Sequence, residues 1–303
     1  MICFYHSADL DGKCSAAIVK KKYPDVDLRP INYGDPFPWK DVKNQDVIMV
    51  DFSLQPFQDM LMLFGAAKSI TWIDHHKSAI EDYINWRKSL EDEGKKSPTD
   101  HYTHCQVGTA ACVLTWDYFL PELKVPWSVQ MLGWYDVWDF DETDPEDHTL
   151  EFQYGMRQED WWPDDPKWEE LFLDGPAVQQ RVETGKTILS YVNQQNEIYA
   201  KAFSFETDFD GMSCVALNRA LTNSRALECV FNPRRHDAMI LFAWKPKIEA
   251  WNISLYTTID SVDVSKVAKL RGGGGHAKAA GFQAKELPFK LTGHRLPLGN
   301  ANV

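Results

Sequence analysis

Acidic and histidine side chains follow three short apolar runs of this chain, at the point where each run ends. The runs span residues 2–5, 47–50 and 70–73, and the side chains that follow them are His6, Asp9, Asp11, Asp51, Asp74, His75 and His76. Several carboxylates combined with imidazoles are the ligands that a pair of hard divalent cations such as Mn²⁺ or Fe²⁺ requires, with one carboxylate shared as a bridge. The sequence therefore predicts a metal centre built from the ends of three strands.

Each of these residues also has a simpler structural explanation. Asp11 before Gly12 is typical of a turn or a helix cap, and Asp51 could cap another helix. A single His75 is more often a buried core histidine than a metal ligand. Independent caps need not all fall at the ends of apolar strands, so the group taken together favours a metal site.

A further acid, Asp136, would join this group from the segment that follows a predicted helix at residues 107–120. It completes the candidate metal ligands His6, Asp9, Asp11, Asp51, His75 and Asp136. Asp139, Asp141 and Asp144 lie close by in the sequence. They remain alternatives for this last position.

The elements that would position these side chains alternate between strand and helix patterns. Helical spacing at residues 13–22 and 56–64 separates strand-like runs, including one at 26–31. This β-α-β-α order predicts an α/β fold with a parallel sheet and helices on its faces, and the carboxyl ends of such strands meet at one edge. Residues 85–104 are polar and charged, and we expect them to form an exposed excursion.

The second half of the chain begins with an apolar stripe at helical spacing, which predicts one long helix over residues 176–203. A smaller α/β region should follow, with a helix at 264–270 before a glycine run. Its expected strands are at 213–217, 227–231, 239–244 and 251–256. The predicted division is therefore a first domain at 1–175, a linker helix at 176–203, a second domain at 204–288 and a tail at 289–303.

Composition limits the partners of the chain. Its net charge is −12, whereas proteins that grip long nucleic acids through their phosphates usually carry a basic excess, so we expect no binding of long duplexes. No apolar run is long enough to span a bilayer, and no basic segment precedes an apolar signal core. We therefore expect a cytoplasmic protein without a membrane partner, in the host cytoplasm if the source is viral. The six cysteines form no C-x-x-C pair and should be reduced and mostly packed.

The motifs together resemble those of a known family. Asp74-His75-His76, the upstream H-x-x-D-x-D motif that starts at His6, the isolated Asp51 and the downstream Gly-Gly-Gly-His segment resemble the DHH–DHHA1 phosphoesterase superfamily. That superfamily includes RecJ-like exonucleases, nanoRNases (oligoribonucleases) and cyclic-dinucleotide phosphodiesterases. The resemblance covers residues 1–285 in the family's order of motifs and is strongest to the nanoRNase branch. It implies a DHH catalytic domain, a linker helix and a DHHA1 substrate-binding domain, with a cleft between the two domains.

The resemblance also implies two Mn²⁺ ions, with Mg²⁺ or Co²⁺ as alternatives. One ion would be held by His6, Asp9 and Asp51. The other would be held by Asp11, Asp51, His75 and Asp136, with Asp51 as the bridge between the two ions.

Two residues of the central motif would act beside the metal ligands. The resemblance implies that His76 faces the substrate phosphate or the leaving group. Asp74 would orient a neighbouring imidazole. These two residues are the expected catalytic side chains.

The glycine run near the end of the chain has both a functional and a structural interpretation. It could be a flexible loop, but glycines also let backbone N–H groups line an anion-binding concavity. The expected substrate-binding residues are Arg271, Gly273, Gly274, Gly275, His276 and Tyr256. Tyr256 stands where many relatives carry an arginine, so it would either stack on a base or pack in the core.

The activity that the resemblance implies is metal-dependent hydrolysis of phosphodiesters. An activated hydroxide would attack phosphorus in short oligonucleotides or in linear or cyclic dinucleotides. One alternative is a phosphatase of the 3′-phosphoadenosine 5′-phosphate type, and another is an inactive DHH scaffold that binds nucleic acid. The expected partner is a short nucleotide, and a homodimer is compatible with the sequence.

Overall fold

The computed structural model describes residues 1–95 and 101–291 of the 303-residue chain, with His101 described by its backbone alone. The chain divides into two compact units, Met1–Leu189 and Ser190–Val303. Each unit contains one β-sheet, and both sheets are accompanied by helices. The α/β class predicted from the sequence is confirmed.

Five parallel strands form the sheet of the first unit, in the order β2-β1-β3-β4-β5. The strands are β1 (Ile2–His6), β2 (Asp27–Ile31), β3 (Asp46–Val50), β4 (Ser69–Asp74) and β5 (His101–Cys105). Helices cover both faces, so the central strands consist of nearly continuous apolar runs. In β1, for example, Cys3 and Tyr5 belong to one buried cluster, whereas Ile2 and Phe4 belong to another.

In the described part of the first unit, eight helices precede the long helix in which this unit ends. They are α1 (Leu10–Lys22), α2 (Trp39–Val42), α3 (Phe57–Ala66), α4 (Lys77–Asp92), α5 (Ala111–Phe119), α6 (Trp127–Val137), α7 (Thr149–Met156) and α8 (Lys167–Leu171).

The exposed excursion expected at residues 85–104 is wrong in part. Residues 85–92 continue α4, and His101–Cys105 form the edge strand β5. Helix α4 buries only Ala79 and Ile80, so its polar surface hides the helical pattern. An edge strand likewise tolerates exposed side chains, and Tyr102 is exposed. Residues 96–100 of this segment lie outside the described residues.

A 28-residue helix, α9 (Pro176–Phe203), is present where the apolar stripe predicts one, and the division between the two units falls within it. Across the described residues, no helix is both long and apolar enough to cross a membrane.

The sheet of the second unit has six strands in the order β10-β11-β9-β8-β7-β6. The strands are β6 (Phe205–Phe209), β7 (Met212–Asn218), β8 (Ala238–Lys245), β9 (Ala250–Tyr256), β10 (Gly274–Gly275) and β11 (Ala279–Ala284). Strands β7 and β8 pair in parallel, and the other neighbouring pairs are antiparallel. Helix α10 (Val264–Lys269) packs on this sheet, with Val264 and Ala268 buried in the same cluster as Ile253 and Phe282.

The strand expected at residues 227–231 is wrong. A short 3₁₀ helix at Ser224–Ala226 leads into turns in which the N–H groups of Val230 and Phe231 both donate to the Leu227 carbonyl. Leu227 is buried and Val230 and Phe231 are partly buried beside it, so these turns imitate the composition of a strand. In the predicted tail, Phe289 is buried against Phe209 and Phe242, and residues 292–303 lie outside the described residues.

Candidate metal centre

The carboxyl ends of three adjacent strands, β1, β3 and β4, meet at one edge of the first sheet. Three groups of acidic and histidine side chains lie there, and in each group the ligand atoms are within 4.8 Å of one another. The groups are His6 with Asp9 and Asp51, Asp11 with His75 and Asp136, and Asp51 with His75 and His76. The six predicted metal ligands therefore converge on one place.

The first group lies between β1 and β3. The Nδ1 atom of His6 is 2.9 Å from Asp9 Oδ2 and 3.6 Å from Asp51 Oδ2. Asp9 also caps helix α1, because its Oδ1 accepts a hydrogen bond from the Gly12 N–H at 3.1 Å. Its other oxygen lies toward His6.

The second group is centred on His75 Nε2. This atom lies 3.2 Å from Asp136 Oδ2, 3.3 Å from Asp51 Oδ1 and 3.6 Å from Asp11 Oδ2. Asp136 comes from helix α6 and keeps 26% of its side chain exposed, whereas His75 and Asp11 are almost fully buried. Among the acids near residue 136, it is Asp136 that lies in the group.

Asp51 belongs to the first group and also lies beside His75 of the second group. Its Oδ2 is close to His6, and its Oδ1 is close to His75. This is the arrangement that a bridging carboxylate requires, with one oxygen available to each of two neighbouring cations.

Asp51 also carries a strained backbone. Its φ angle is +53°, and the residue is 1% exposed. A non-glycine residue in a sparsely populated region costs on the order of 1–3 kcal/mol. Its Oδ1 is buried and accepts no hydrogen bond. A buried carboxylate oxygen without a donor is expected to be costly, and a cation is one way to satisfy it.

Asp11 has a second function in the fold. Its two carboxylate oxygens accept hydrogen bonds from the backbone N–H groups of Ala111 and Cys112, at 2.9 and 2.6 Å. These are the first two residues of α5, whose own N-cap residue, Ala110, makes no side-chain cap. Asp11 is therefore a helix cap, but it caps a helix about 100 residues farther along the chain.

The buried carboxylate of Asp74 holds the two histidines of the motif. Its Oδ1 accepts the backbone N–H groups of His75 and His76, at 2.8 and 3.2 Å, and lies 2.6 Å from His76 Nδ1. This contact orients the His76 ring, of which about a quarter is exposed. The structure thus brings together the two expected catalytic residues, and it places His76 near enough to Asp51 to be a ligand as well.

Burial and like charges shift the ionisation of the acids. Burial, followed by the charges of Asp11 and Asp9, raises the pKa of Asp51 well above its usual value. Burial and the charge of Asp11 likewise raise the pKa of Asp136. In the absence of cations these acids therefore hold protons more tightly than ordinary carboxyl groups.

The imidazoles are shifted toward their charged form. Burial would lower the pKa of His6, but its hydrogen bonds to Asp51 and Asp9 outweigh burial and raise the pKa to about 10. At His75, burial lowers the pKa, but the charges of Asp11 and Asp136 outweigh burial and raise it above the usual value. The site therefore needs positive charge, and protons supply it in the metal-free state. Carboxylates, imidazoles and the orphaned Asp51 oxygen together fit two hard divalent cations.

Gly12 allows helix α1 to approach the end of β1. A Cβ atom at this position would lie 2.0 Å from the backbone oxygen of His6, which is closer than any real contact. The close approach lets one short segment supply His6, Asp9 and Asp11 to the same site. The turn therefore requires glycine for a steric reason.

In the second unit, the predicted substrate-binding glycines have a packing role. Gly274 and Gly275 form β10 and pair with β11. A Cβ atom on Gly273 would lie 2.1 Å from the Gly281 oxygen, and one on Gly275 would lie 2.5 Å from the Ala279 oxygen. The N–H of Gly273 already donates to the carbonyl of Ala268 at the end of α10. Close packing alone therefore accounts for glycine at residues 273 and 275.

Arg271 is also engaged within its unit. Its Nη2 lies 2.6 Å from Asp210 Oδ1, and its guanidinium lies over the rings of Phe209 and Phe282 at 4.8 and 5.4 Å. The N–H of His276 donates to the Ala279 carbonyl in a tight turn. Tyr256 ends β9 and packs, partly buried, beside an apolar cluster. Substrate binding by these residues stays a prediction.

The sequence patterns did not identify Tyr33 as part of the site. Its ring centroid lies 5.8 Å from that of His6 and 6.3 Å from that of His76, and its other neighbour is Phe52 at 4.6 Å. Tyr33 follows β2 by two residues, and β2 is the neighbour of β1. Its position at the carboxyl end of a strand was the signal that could have revealed it.

No family model matches the chain. An uncharacterized protein of Acanthamoeba polyphaga mimivirus is 26% identical over 254 residues, which cover 80% of this chain and 53% of the relative, so the chain spans about half the length of that curated protein.

Solved structures resemble the chain over most of its length. A DHH-domain protein described as belonging to a family of ribosomal proteins has a TM-score of 0.56 and 16% identity, covering 93% of this chain and 82% of that one. A pGpG-specific phosphodiesterase from Vibrio cholerae has a TM-score of 0.48 and 14% identity, covering 93% and 92%. At 16% identity the first similarity concerns the fold, and the chain therefore has the DHH-type fold that its motifs predict.

Proposed function

We propose that this protein is a metal-dependent phosphoesterase that uses two divalent cations, Mn²⁺ in the first instance, to hydrolyse phosphodiesters. The observation that carries the proposal is the position of Asp51. Its two carboxylate oxygens lie toward two different imidazoles, and one of them is buried without a hydrogen-bond donor. A carboxylate held in this way is suited to bridging two ions.

Two bound cations would supply the Lewis-acid charge that activates a water and offsets the charge on the phosphate oxygens. His6, Asp9 and Asp51 would hold one ion, and the other would be held by Asp11, Asp51, His75 and Asp136. The separate cap functions of Asp9 and Asp11 fix their carboxylates relative to α1 and α5. Much of the ligand geometry is therefore built into the fold before any ion binds.

His76 is the candidate for proton transfer. Asp74 holds Nδ1 at 2.6 Å, and burial at His76 is outweighed by the charge of Asp74, which raises the pKa of the imidazole. A proton on Nδ1 would be held in a hydrogen bond to the Asp74 carboxylate. Nε2 is therefore the atom that could donate a proton to a leaving oxygen. The Asp74 carboxylate orients the ring and stabilises its charged form.

The substrate class follows from charge. The net charge of −12 favours short nucleotides, because a long polyanion would be repelled except where cations are bound. We therefore propose short oligonucleotides and linear or cyclic dinucleotides as substrates. The 3′-phosphoadenosine 5′-phosphate reaction remains an alternative that the same metal centre could perform.

Hydrolysis assays with purified protein and Mn²⁺ test the proposal. The panel contains linear and cyclic dinucleotides, 3′-phosphoadenosine 5′-phosphate, a longer single strand and pyrophosphate, with EDTA as the metal-free control. Asp51→Asn protein, purified in parallel, excludes a contaminating nuclease. We expect hydrolysis of dinucleotides that EDTA and the substitution both abolish. If wild-type protein with bound Mn²⁺ hydrolyses no member of the panel, the enzyme proposal is wrong and the scaffold alternative is favoured.

A further inference from the structure

An exposed aromatic side chain lies beside the candidate metal centre. Tyr33 is 49% exposed, although its ring neighbours include both His6 and His76. These two histidines lie at the ends of different strands, β1 and β4. The Tyr33 ring therefore borders the centre on a side that solvent can reach.

The ring is held in place from its other side. Phe52, which is almost fully buried, lies 4.6 Å from it between ring centroids. The Tyr33 hydroxyl lies beside Ser53, which is fully buried, and near the charge of Asp74. The contacts with Phe52 and Ser53 already restrict the rotation of the ring, so little side-chain entropy would be lost when a ligand binds.

The loop that carries Tyr33 is also tied to the sheet. The side chains of Asn32 and Ser7 are joined by a hydrogen bond of 3.0 Å, which connects the ends of β2 and β1. The Asn32 N–H donates to Asp35 Oδ2 at 2.9 Å. The exposed ring is therefore positioned by a braced loop.

We propose that Tyr33 contacts the base or sugar of a nucleotide whose phosphate lies at the metal centre, and that this contact makes the enzyme prefer nucleotide esters to simple phosphate esters. The proposal rests on the proposed phosphoesterase function and adds a residue that positions the substrate. Every nucleobase has a π-face, so stacking would not select one base. Tyr33 would instead distinguish nucleotides from substrates without a base.

The test compares two substrates in four proteins. The substrates are a linear dinucleotide and methyl p-nitrophenyl phosphate, a diester without a base or sugar. The proteins are wild type, Tyr33→Ala, Tyr33→Phe and Trp162→Ala. Trp162 is a matched control because it is another exposed aromatic residue of the first unit, at 58% exposure. Bound Mn²⁺ and thermal unfolding are measured for each protein.

We expect the ratio of the two kcat/KM values, dinucleotide over simple ester, to fall about 5- to 150-fold in Tyr33→Ala. The loss should lie mainly in KM, since stacking on a remote group binds ground state and transition state alike. Tyr33→Phe keeps the ring and should restore the ratio, and Trp162→Ala should keep it. The Mn²⁺ content should be the same in all four proteins.

Three outcomes would overturn the inference: an unchanged ratio in Tyr33→Ala, an equal loss on both substrates, or a Tyr33→Phe protein as defective as Tyr33→Ala. If wild-type protein hydrolyses neither substrate, it is the proposed function that fails. Equilibrium binding of the dinucleotide in the presence of Ca²⁺ then tests Tyr33 without turnover. An affinity unaffected by Tyr33→Ala would refute the contact, and a loss of about 5- to 150-fold would support it.

Discussion

Replacing Asp51 with asparagine should remove both metal ions at once. The substitution keeps the shape of the side chain and removes its charge. Asparagine also tolerates the left-handed backbone of this position, where φ is +53°, better than alanine does. In the metal-free protein, the substitution has two opposite effects on stability. It weakens the contact with His6, and it relieves the repulsion from Asp11 and Asp9. The free energy of unfolding in EDTA should therefore change little.

The magnitude follows from linkage between metal binding and folding. At a free Mn²⁺ concentration about 100 times the dissociation constant, each occupied site stabilises the folded state by about 2.7 kcal/mol. For a unit the size of Met1–Leu189, this corresponds to a rise in Tm of about 5–10 °C for each ion. Wild type should show the shift from two ions, Asp51→Asn none, and Asp136→Asn the shift from one. The reason is that Asp136 lies beside His75, whereas Asp51 lies beside both His6 and His75.

Three measurements check this expectation on the same preparations. Metal content by elemental analysis should be two ions for wild type, one for Asp136→Asn and none for Asp51→Asn. Thermal unfolding with and without Mn²⁺ should follow the same order, and hydrolysis should be lost with the bridge. An Asp51→Asn protein that keeps one tightly bound ion, or that turns over at the wild-type rate, would refute the bridging role.

Three further predictions concern neighbouring residues. Asp11→Asn should destabilise even the metal-free protein, by about 0.5–2 kcal/mol, because an amide cannot accept hydrogen bonds from both N–H groups at the start of α5. Urea unfolding in EDTA measures this loss, and an unchanged midpoint would contradict the cap. Metal binding at pH 7 should release protons and tighten as pH rises, because the raised pKa of His6, about 10, keeps its imidazole protonated until an ion displaces the proton. Calorimetry in buffers of different ionisation enthalpy counts the released protons, and a count of zero would contradict the assignment of His6 as a metal ligand. Gly12→Ala should unfold the first unit or empty its metal site because of the clash with the His6 carbonyl, whereas Gly65→Ala, whose Cβ meets nothing within 4 Å, should be tolerated. Circular dichroism and metal content compare the two variants. A stable Gly12→Ala protein with its full metal content would refute the steric argument.

The central strands β1, β3 and β4 of the first sheet could be predicted because each is an apolar run, whereas the polar edge strand β5 could not. The elements that were not predicted are those that bury few side chains, or that bury them in turns and not in a regular helix or strand. Helix α4 buries two residues of its sixteen, so its apolar signal is weak. At residues 227–231, the buried Leu227 and the partly buried Val230 and Phe231 lie in successive turns, and their composition imitates a strand. Tertiary packing decides both cases, and local composition does not report it.

The candidate ligands could be predicted for a related reason: they directly follow strands, and a parallel sheet places the carboxyl ends of its strands at one edge. Two features could not be predicted. Asp11 caps a helix about 100 residues away, a pairing that depends on how α1 packs beside α5. Arg271, Gly273 and Gly275 have packing contacts that a motif cannot distinguish from substrate contacts.

Asp51 differs from Asp174, another aspartate with a left-handed backbone, in what its carboxylate contacts. Asp174 has the same left-handed backbone, with φ at +52°. Both of its carboxylate oxygens accept N–H groups at the start of α6, from Trp127 at 2.7 Å and Ser128 at 3.1 Å. Those hydrogen bonds explain why an aspartate stands there. Asp51 has the same backbone strain and a buried oxygen that accepts no hydrogen bond, and its nearest partners are imidazoles. A strained, buried and unsatisfied acid persists when the surrounding structure holds it for function, so the ligand that completes Asp51 should be a cation.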